Sequence, residues 1–140
     1  MTATSAAPVE ARSPWRPRLI AIGAVALLNG LLGLVAPLLG ADLVTAPEGA
    51  EPMTLNAVPF VLFSVVFAFL GWGVLALAER FLGRRGLIAW TVVAVLFTLV
   101  SFVPSLSVNA TPATEAVLVA SHVVVAAVVI PAFWRSSPTA

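Results

Sequence analysis

Four apolar runs divide the chain, and polar connections separate them. Residues 19–39, 57–78, 87–103 and 114–134 are almost free of charge. At about 1.5 Å per residue each can cross a hydrocarbon core of about 30 Å as a helix. The third is short and needs its flanks or local thinning of the bilayer. The pattern predicts an all-α integral membrane protein folded as an antiparallel four-helix bundle. Proline placement agrees with these boundaries: Pro17, Pro59 and Pro112 near helix starts, Pro104 just past an end, Pro37 and Pro131 near exits, and none expected mid-membrane. Thr111 before Pro112 reads as an N-cap followed by a first-turn proline.

These runs imply one transmembrane domain over residues 15–135, with residues 1–14 a disordered tail and 136–140 a short second tail. A secretory signal has an apolar region of only about 7–15 residues followed by a cleavage site, so the longer first run is read as a retained helix. The connection 40–56 carries Asp42, Glu48 and Glu51 with a Gly- and Pro-rich stretch, and is expected to be a flexible acidic lid. The connection 79–86 is short and basic.

Charge gives the runs a direction. Arg16 and Arg18, with Arg12, precede the first run; Arg80, Arg84 and Arg85 separate the second from the third; Arg135 follows the fourth. The other two connections contain no Lys or Arg. This positive-inside pattern predicts that both termini are cytoplasmic in a bacterial inner membrane. Trp15, Trp90 and Trp134 are then expected at the cytoplasmic headgroup level and Trp72 about two turns deeper.

Composition removes other classes. With 61% hydrophobic and 9% charged residues, and a mean hydropathy of +1.09, the chain has too little polar surface for a soluble globule. The bilayer is therefore its expected partner. A net charge of +1, spread over three edges, gives no stripe for nucleic acid. The absence of cysteine excludes disulfides, thiolate catalysis and iron–sulfur clusters. A single histidine, with both methionines outside the runs, leaves no haem ligand pair. No metal, nucleotide or other cofactor motif is visible, and Ser64 and Ser101 lack a preorganised oxyanion motif. Small multidrug exporters carry a carboxylate deep in their first helix where this chain has Asn29, so proton-coupled export ranks behind other readings.

Small and weakly polar residues recur at helical spacing in every run. The stripes are Ala26, Asn29, Gly33 and Ala36; Ala57, Ser64, Ala68 and Gly71; Thr91, Ala94, Thr98 and Ser101; and Glu115, His122 and Ala126. Such stripes let membrane helices approach closely. By depth, Asn29, Thr98 and His122 fall at one level, with Ser64 and Ser101 about a turn further out. These five form a candidate intramembrane polar cluster, because amide and imidazole groups facing hydrocarbon lack partners. Either His122 packs as neutral glue against Asn29 or Thr98, or it anchors a small hydrophobic ligand or relays protons.

Two segments carry a family resemblance. Gly71-Trp72-Gly73 through Glu79-Arg80, and His122 through Pro131, resemble an uncharacterised four-transmembrane-helix family, a domain of unknown function common in actinobacteria. The resemblance implies a membrane protein without an assigned activity, with His122 as a family feature. The expectation is a non-enzymatic accessory or interaction protein, contacting itself or another membrane protein; the alternative is a small transport or ligand-binding protein built around His122.

The orientation is testable because the chain has no native cysteine. A Gly49→Cys variant should react with an impermeant maleimide in intact cells, and Gly83→Cys only after permeabilisation. The reverse pattern would invert the topology.

Overall fold

The computed structural model describes residues 13–140. It contains helices α1 (Trp15–Val35), α2 (Ala57–Leu82), α3 (Arg84–Ser107) and α4 (Pro112–Arg135). All four are long and apolar enough to cross a membrane. They pack in a ring, α1 on α2, α2 on α3, α3 on α4 and α4 back on α1, with a smaller contact between α2 and α4 across the centre.

Helices α2, α3 and α4 extend past the apolar runs because backbone groups near the bilayer edge still need partners, whereas α1 ends at Val35 and the rest of its run, Ala36–Leu39, is a 3-10 helix. The third shows this best, starting at Arg84 and running through Pro104 to Ser107. Pro104 thus lies inside α3 and not beyond it. So close to the C-terminal end, a missing N–H costs one hydrogen bond and does not stop the last turn. Pro131 is likewise inside α4. Thr111 caps α4, its hydroxyl accepting from the Thr114 N–H with Pro112 in the first turn, and Asn56 caps α2 through Val58. The tail expected over residues 1–14 lies almost wholly outside the described residues; Ser13 and Pro14 lead into α1.

Close helix approach depends on small residues. A Cβ at Gly33 would come 2.8 Å from the Ala57 Cα, and one at Gly86 would collide with the Ala78 carbonyl. The core lies in two clusters. At the arginine-bearing end Val25, Leu75, Leu87, Trp90, Val129 and Phe133 pack together; at the other end Ala36, Ala41, Leu43 and Phe60 do so. Trp90 differs from the expected headgroup position. Its indole N–H donates to the Gly71 carbonyl at 2.9 Å and its ring stacks on Phe133, with centroids 5.7 Å apart. The earlier start of α3 carries Trp90 into the bundle, where its N–H must find an acceptor.

Polar contacts close both ends. Arg18, 2% exposed, donates to both Glu79 oxygens at 3.0 and 3.2 Å and to the Ser136 hydroxyl at 3.1 Å. Its guanidinium lies over the Phe133 ring, and Ser137 also donates to Glu79. Ser136 and Ser137, at the start of the short second tail, therefore dock against α1 and α2. A pair this buried fixes geometry more than it adds net stability.

At the opposite end, residues 40–56 form a folded strap and not a flexible lid. Strands β1 (Val44–Thr45) and β2 (Met53–Thr54) pair antiparallel, Val44 opposite Thr54. Ala46 donates to the Asn109 carbonyl at 2.9 Å, and the Asn109 amide returns to the Ala46 carbonyl at 3.2 Å. Leu43, fully buried, takes a φ of 53°, a costly conformation for leucine. Its N–H is held by the Thr114 hydroxyl at 3.0 Å. The strands are too short for an alternating pattern to reveal them. Gly49 and Gly83 have φ of 77° and 54°, so the topology cysteines are less strained at neighbouring Ala50 and Leu82.

Asp42 ties the strap down. Its Oδ1 accepts from Thr114 at 2.7 Å, Thr111 at 3.0 Å and the Val44 N–H at 3.3 Å. The Thr114 hydrogen bond, followed by that from Val44, holds the carboxyl below its ordinary value. A lowered folded pKa gives stability that is full above the unfolded pKa and lost as pH falls through the folded one. Amide exchange at Leu43 and Val44, corrected for intrinsic rate, should therefore stay protected down through the ordinary carboxylate range and rise only below it. Asp42→Asn should exchange faster at neutral pH and respond little to acid. Opening already near neutrality would assign control of the strap to another group.

Candidate functional site

The buried face of α1 runs through Arg18, Ala21, Ile22, Val25, Asn29, Gly30 and Gly33, a three-and-four spacing that turns one stripe inward. Asn29, at its middle, is 1% exposed. Its Nδ2 donates to the Ser64 hydroxyl on α2 at 2.6 Å and to the Ser121 carbonyl on α4 at 3.2 Å. Three helices thus meet on one carboxamide. Both partners accept, since the Ser64 proton goes to the Phe60 carbonyl at 2.6 Å. This fixes which end of the amide is nitrogen. The other end, Oδ1, is buried without a hydrogen-bond partner among the described residues.

Beside this junction runs a cleft of about 510 Å³, from mid-bundle toward the strap. Asn29, Ser64, Thr98, Ser101 and His122, the five residues grouped from the sequence, all line it. Their contacts differ from those expected. Ser64 stands at the level of Asn29 and not a turn beyond it. His122 bonds neither Asn29 nor Thr98; its Nδ1 lies 2.7 Å from the Leu118 carbonyl of its own helix. A carbonyl only accepts, so Nδ1 carries a proton, and in the neutral ring Nε2 is left as an acceptor. Thr98 and Ser101 also bond back to their own helix, at the Ala94 carbonyl (2.8 Å) and the Thr98 carbonyl (2.6 Å). Such back-bonding satisfies a hydroxyl in hydrocarbon without a neighbouring helix.

The arginines expected to set the topology stand at the other end of the bundle, remote from the cleft. Arg18 is buried on Glu79, whereas Arg16, Arg80, Arg84, Arg85 and Arg135 are exposed. No group of three or more His, Cys, Asp or Glu with metal-binding geometry occurs among the described residues.

Two elements of the site escaped the sequence reading. Ser121 is buried and meets Asn29 through its carbonyl, so the inward line of α4 is Thr114, Ser121, Val129 and Phe133, one position from the Glu115–His122–Ala126 stripe. Following Thr114 from its place beside the Thr111 cap would have found it. The second is an aromatic wall: Phe63, Phe67 and Phe97 line the cleft, with Phe67 and Phe97 at 6.0 Å and Phe63 and Phe67 at 6.4 Å. All three are about half exposed and stand near the middle of α2 and α3. In an apolar run such phenylalanines carry no signal that separates them from ordinary lipid contacts.

Magnitudes bear on Asn29. An interhelical hydrogen bond in a membrane averages about 0.6 kcal/mol, whereas an unpaired buried oxygen costs about 1–3 kcal/mol. Two such bonds, about 1.2 kcal/mol together, offset only the low end of that cost. Asn29→Leu should therefore leave the thermal midpoint unchanged or raise it, by about 1 kcal/mol at most. His122→Gln and His122→Leu should each shift stability by less than about 1 kcal/mol, because the Leu118 carbonyl keeps its helical partner. Thermal unfolding in mild detergent measures both. A large loss in Asn29→Leu would make the carboxamide a structural fastener.

The chain belongs to a family of unknown function (DUF6069), whose sequence model matches residues 9–139. No curated protein and no solved structure matches it.

Proposed function

For this member of a family without an assigned activity, we propose a non-catalytic ligand-binding role: a small membrane protein that takes a hydrophobic molecule from the bilayer into the cleft between α2, α3 and α4. The observation that carries this reading is the coincidence of a cleft of about 510 Å³ with a buried carboxamide whose oxygen has no partner among the described residues. A volume of that order suits a small organic ligand, and the apolar walls with few polar groups are those of a binding pocket. A residue whose burial costs more than its bonds return is better explained by a ligand than by packing.

The setting we propose is the bacterial inner membrane with both termini cytoplasmic. The arginines gathered at one end and the acids Asp42, Glu48, Glu51 and Glu115 at the other support that orientation. The cleft would then lie in the outer half of the bilayer, below the strap, and its lateral mouth would admit ligand without passage through water.

Filling the cleft tests the reading. Thr98→Phe introduces a ring into the α3 wall and leaves Asn29 in place. Native mass spectrometry of protein extracted in mild detergent should find a hydrophobic molecule on the wild type and none on Thr98→Phe, which should still unfold cooperatively. Identical spectra without added mass would withdraw the support for binding and favour an accessory role in contact with another membrane protein.

A further inference from the structure

Resting on that reading of the cleft, we infer that its ligand is a neutral lipophilic hydrogen-bond donor, a phenol, alcohol or uncharged N–H compound with a flat apolar body. Each polar side chain lining the cleft has already committed its donors within the protein. Asn29 Nδ2 gives to Ser64 and to the Ser121 carbonyl. The hydroxyls of Ser64, Thr98, Ser101 and Ser121 give to the carbonyls of Phe60, Ala94, Thr98 and Leu118. His122 Nδ1 gives to Leu118. What remains is acceptors: the carboxamide oxygen of Asn29, Nε2 of a neutral His122 and the hydroxyl lone pairs. Pro104, also in the wall, supplies no N–H to the carbonyl of Val100 one turn earlier.

A wall that only accepts selects by charge and by polarity. A carboxylate or phosphate brings further acceptors and finds no donor, so in this apolar setting its desolvation goes unrepaid. An ammonium brings donors, but no Asp or Glu lines the cleft to balance its charge, which is costly within a membrane. A neutral O–H or N–H meets neither penalty, and the Asn29 carboxamide oxygen, buried beside the cleft and without a partner among the described residues, is the acceptor it would satisfy once seated against that side chain. The body of the ligand is set by Phe63, Phe67 and Phe97, whose neighbouring rings favour offset or edge contact with another ring.

A matched probe series separates the donor from the rest of the molecule. The full chain in lipid nanodiscs is dialysed against 4-phenylphenol, its methyl ether 4-methoxybiphenyl, biphenyl, and biphenyl-4-carboxylate, with protein-free nanodiscs correcting for partition. The phenol should bind roughly tenfold more tightly than its methyl ether, and the carboxylate most weakly. In Asn29→Leu the preference for the phenol should fall to within about threefold while biphenyl binding persists. Equal binding of the phenol and the ether to the wild type would overturn the donor inference and leave the binding reading intact. Tightest binding of the carboxylate would overturn it too, by revealing a free donor. No probe bound above the protein-free control would overturn both, leaving water as the occupant of the cleft. The wild-type series decides between these results even if Asn29→Leu fails to fold.

Discussion

In hydrocarbon, a polar group that finds no partner inside the protein finds none at all, and the bundle is organised around that constraint. Its polar side chains gather at three levels. Arg18 and Glu79 with Ser136 and Ser137 close one end, Asn29 with Ser64 and Ser121 crosses the middle, and Asp42 with Thr111 and Thr114 closes the other end. At every level the chain in or next to α1 meets the chain in or next to α4. Helix α3 joins none of these groups. Trp90 fixes its first half to Gly71, and Asn109, just beyond its last turn, is tied to the strap at Ala46. Between those anchors its hydroxyls bond to its own backbone, and there the cleft lies.

How much of this was legible follows from the range of each interaction. The four spans and the Thr111 cap depend on local sequence, and both could be read from it. That Asn29, Ser64, Thr98, Ser101 and His122 would line one space followed from depth along a helix, because antiparallel spans place equal depths side by side. Their partners did not follow. Depth has a resolution of about one turn, so Ser64 was assigned a turn too far out. Helix azimuth was equally loose, which put the inward face of α4 on His122 when it belongs to Ser121. The strap depended on two-residue strands and on Asp42 reaching Thr114, contacts that no periodicity records. Arg18 read as a free topological charge because Glu79, its partner, lies 61 positions away in the chain.

The contrast between the ends and the middle gives the cleft its meaning. At one end both Glu79 oxygens and the Arg18 guanidinium have partners, and at the other Asp42 Oδ1 has three, although a membrane edge is where water would otherwise serve. In the middle, where water is scarce, Asn29 keeps an oxygen unpaired. A leucine at that position would fill similar space without this penalty, so stability alone does not account for the amide. Packing does not readily remove the cleft either. For α3 to close on Asn29, it would have to pivot against Gly86, where even a Cβ would collide with the Ala78 carbonyl, and against the Trp90 anchor, while Phe97 moved into Phe67. The same contacts that hold α3 at its two ends therefore hold it away from the centre, and the unpaired oxygen and the space beside it are consequences of one arrangement of helices.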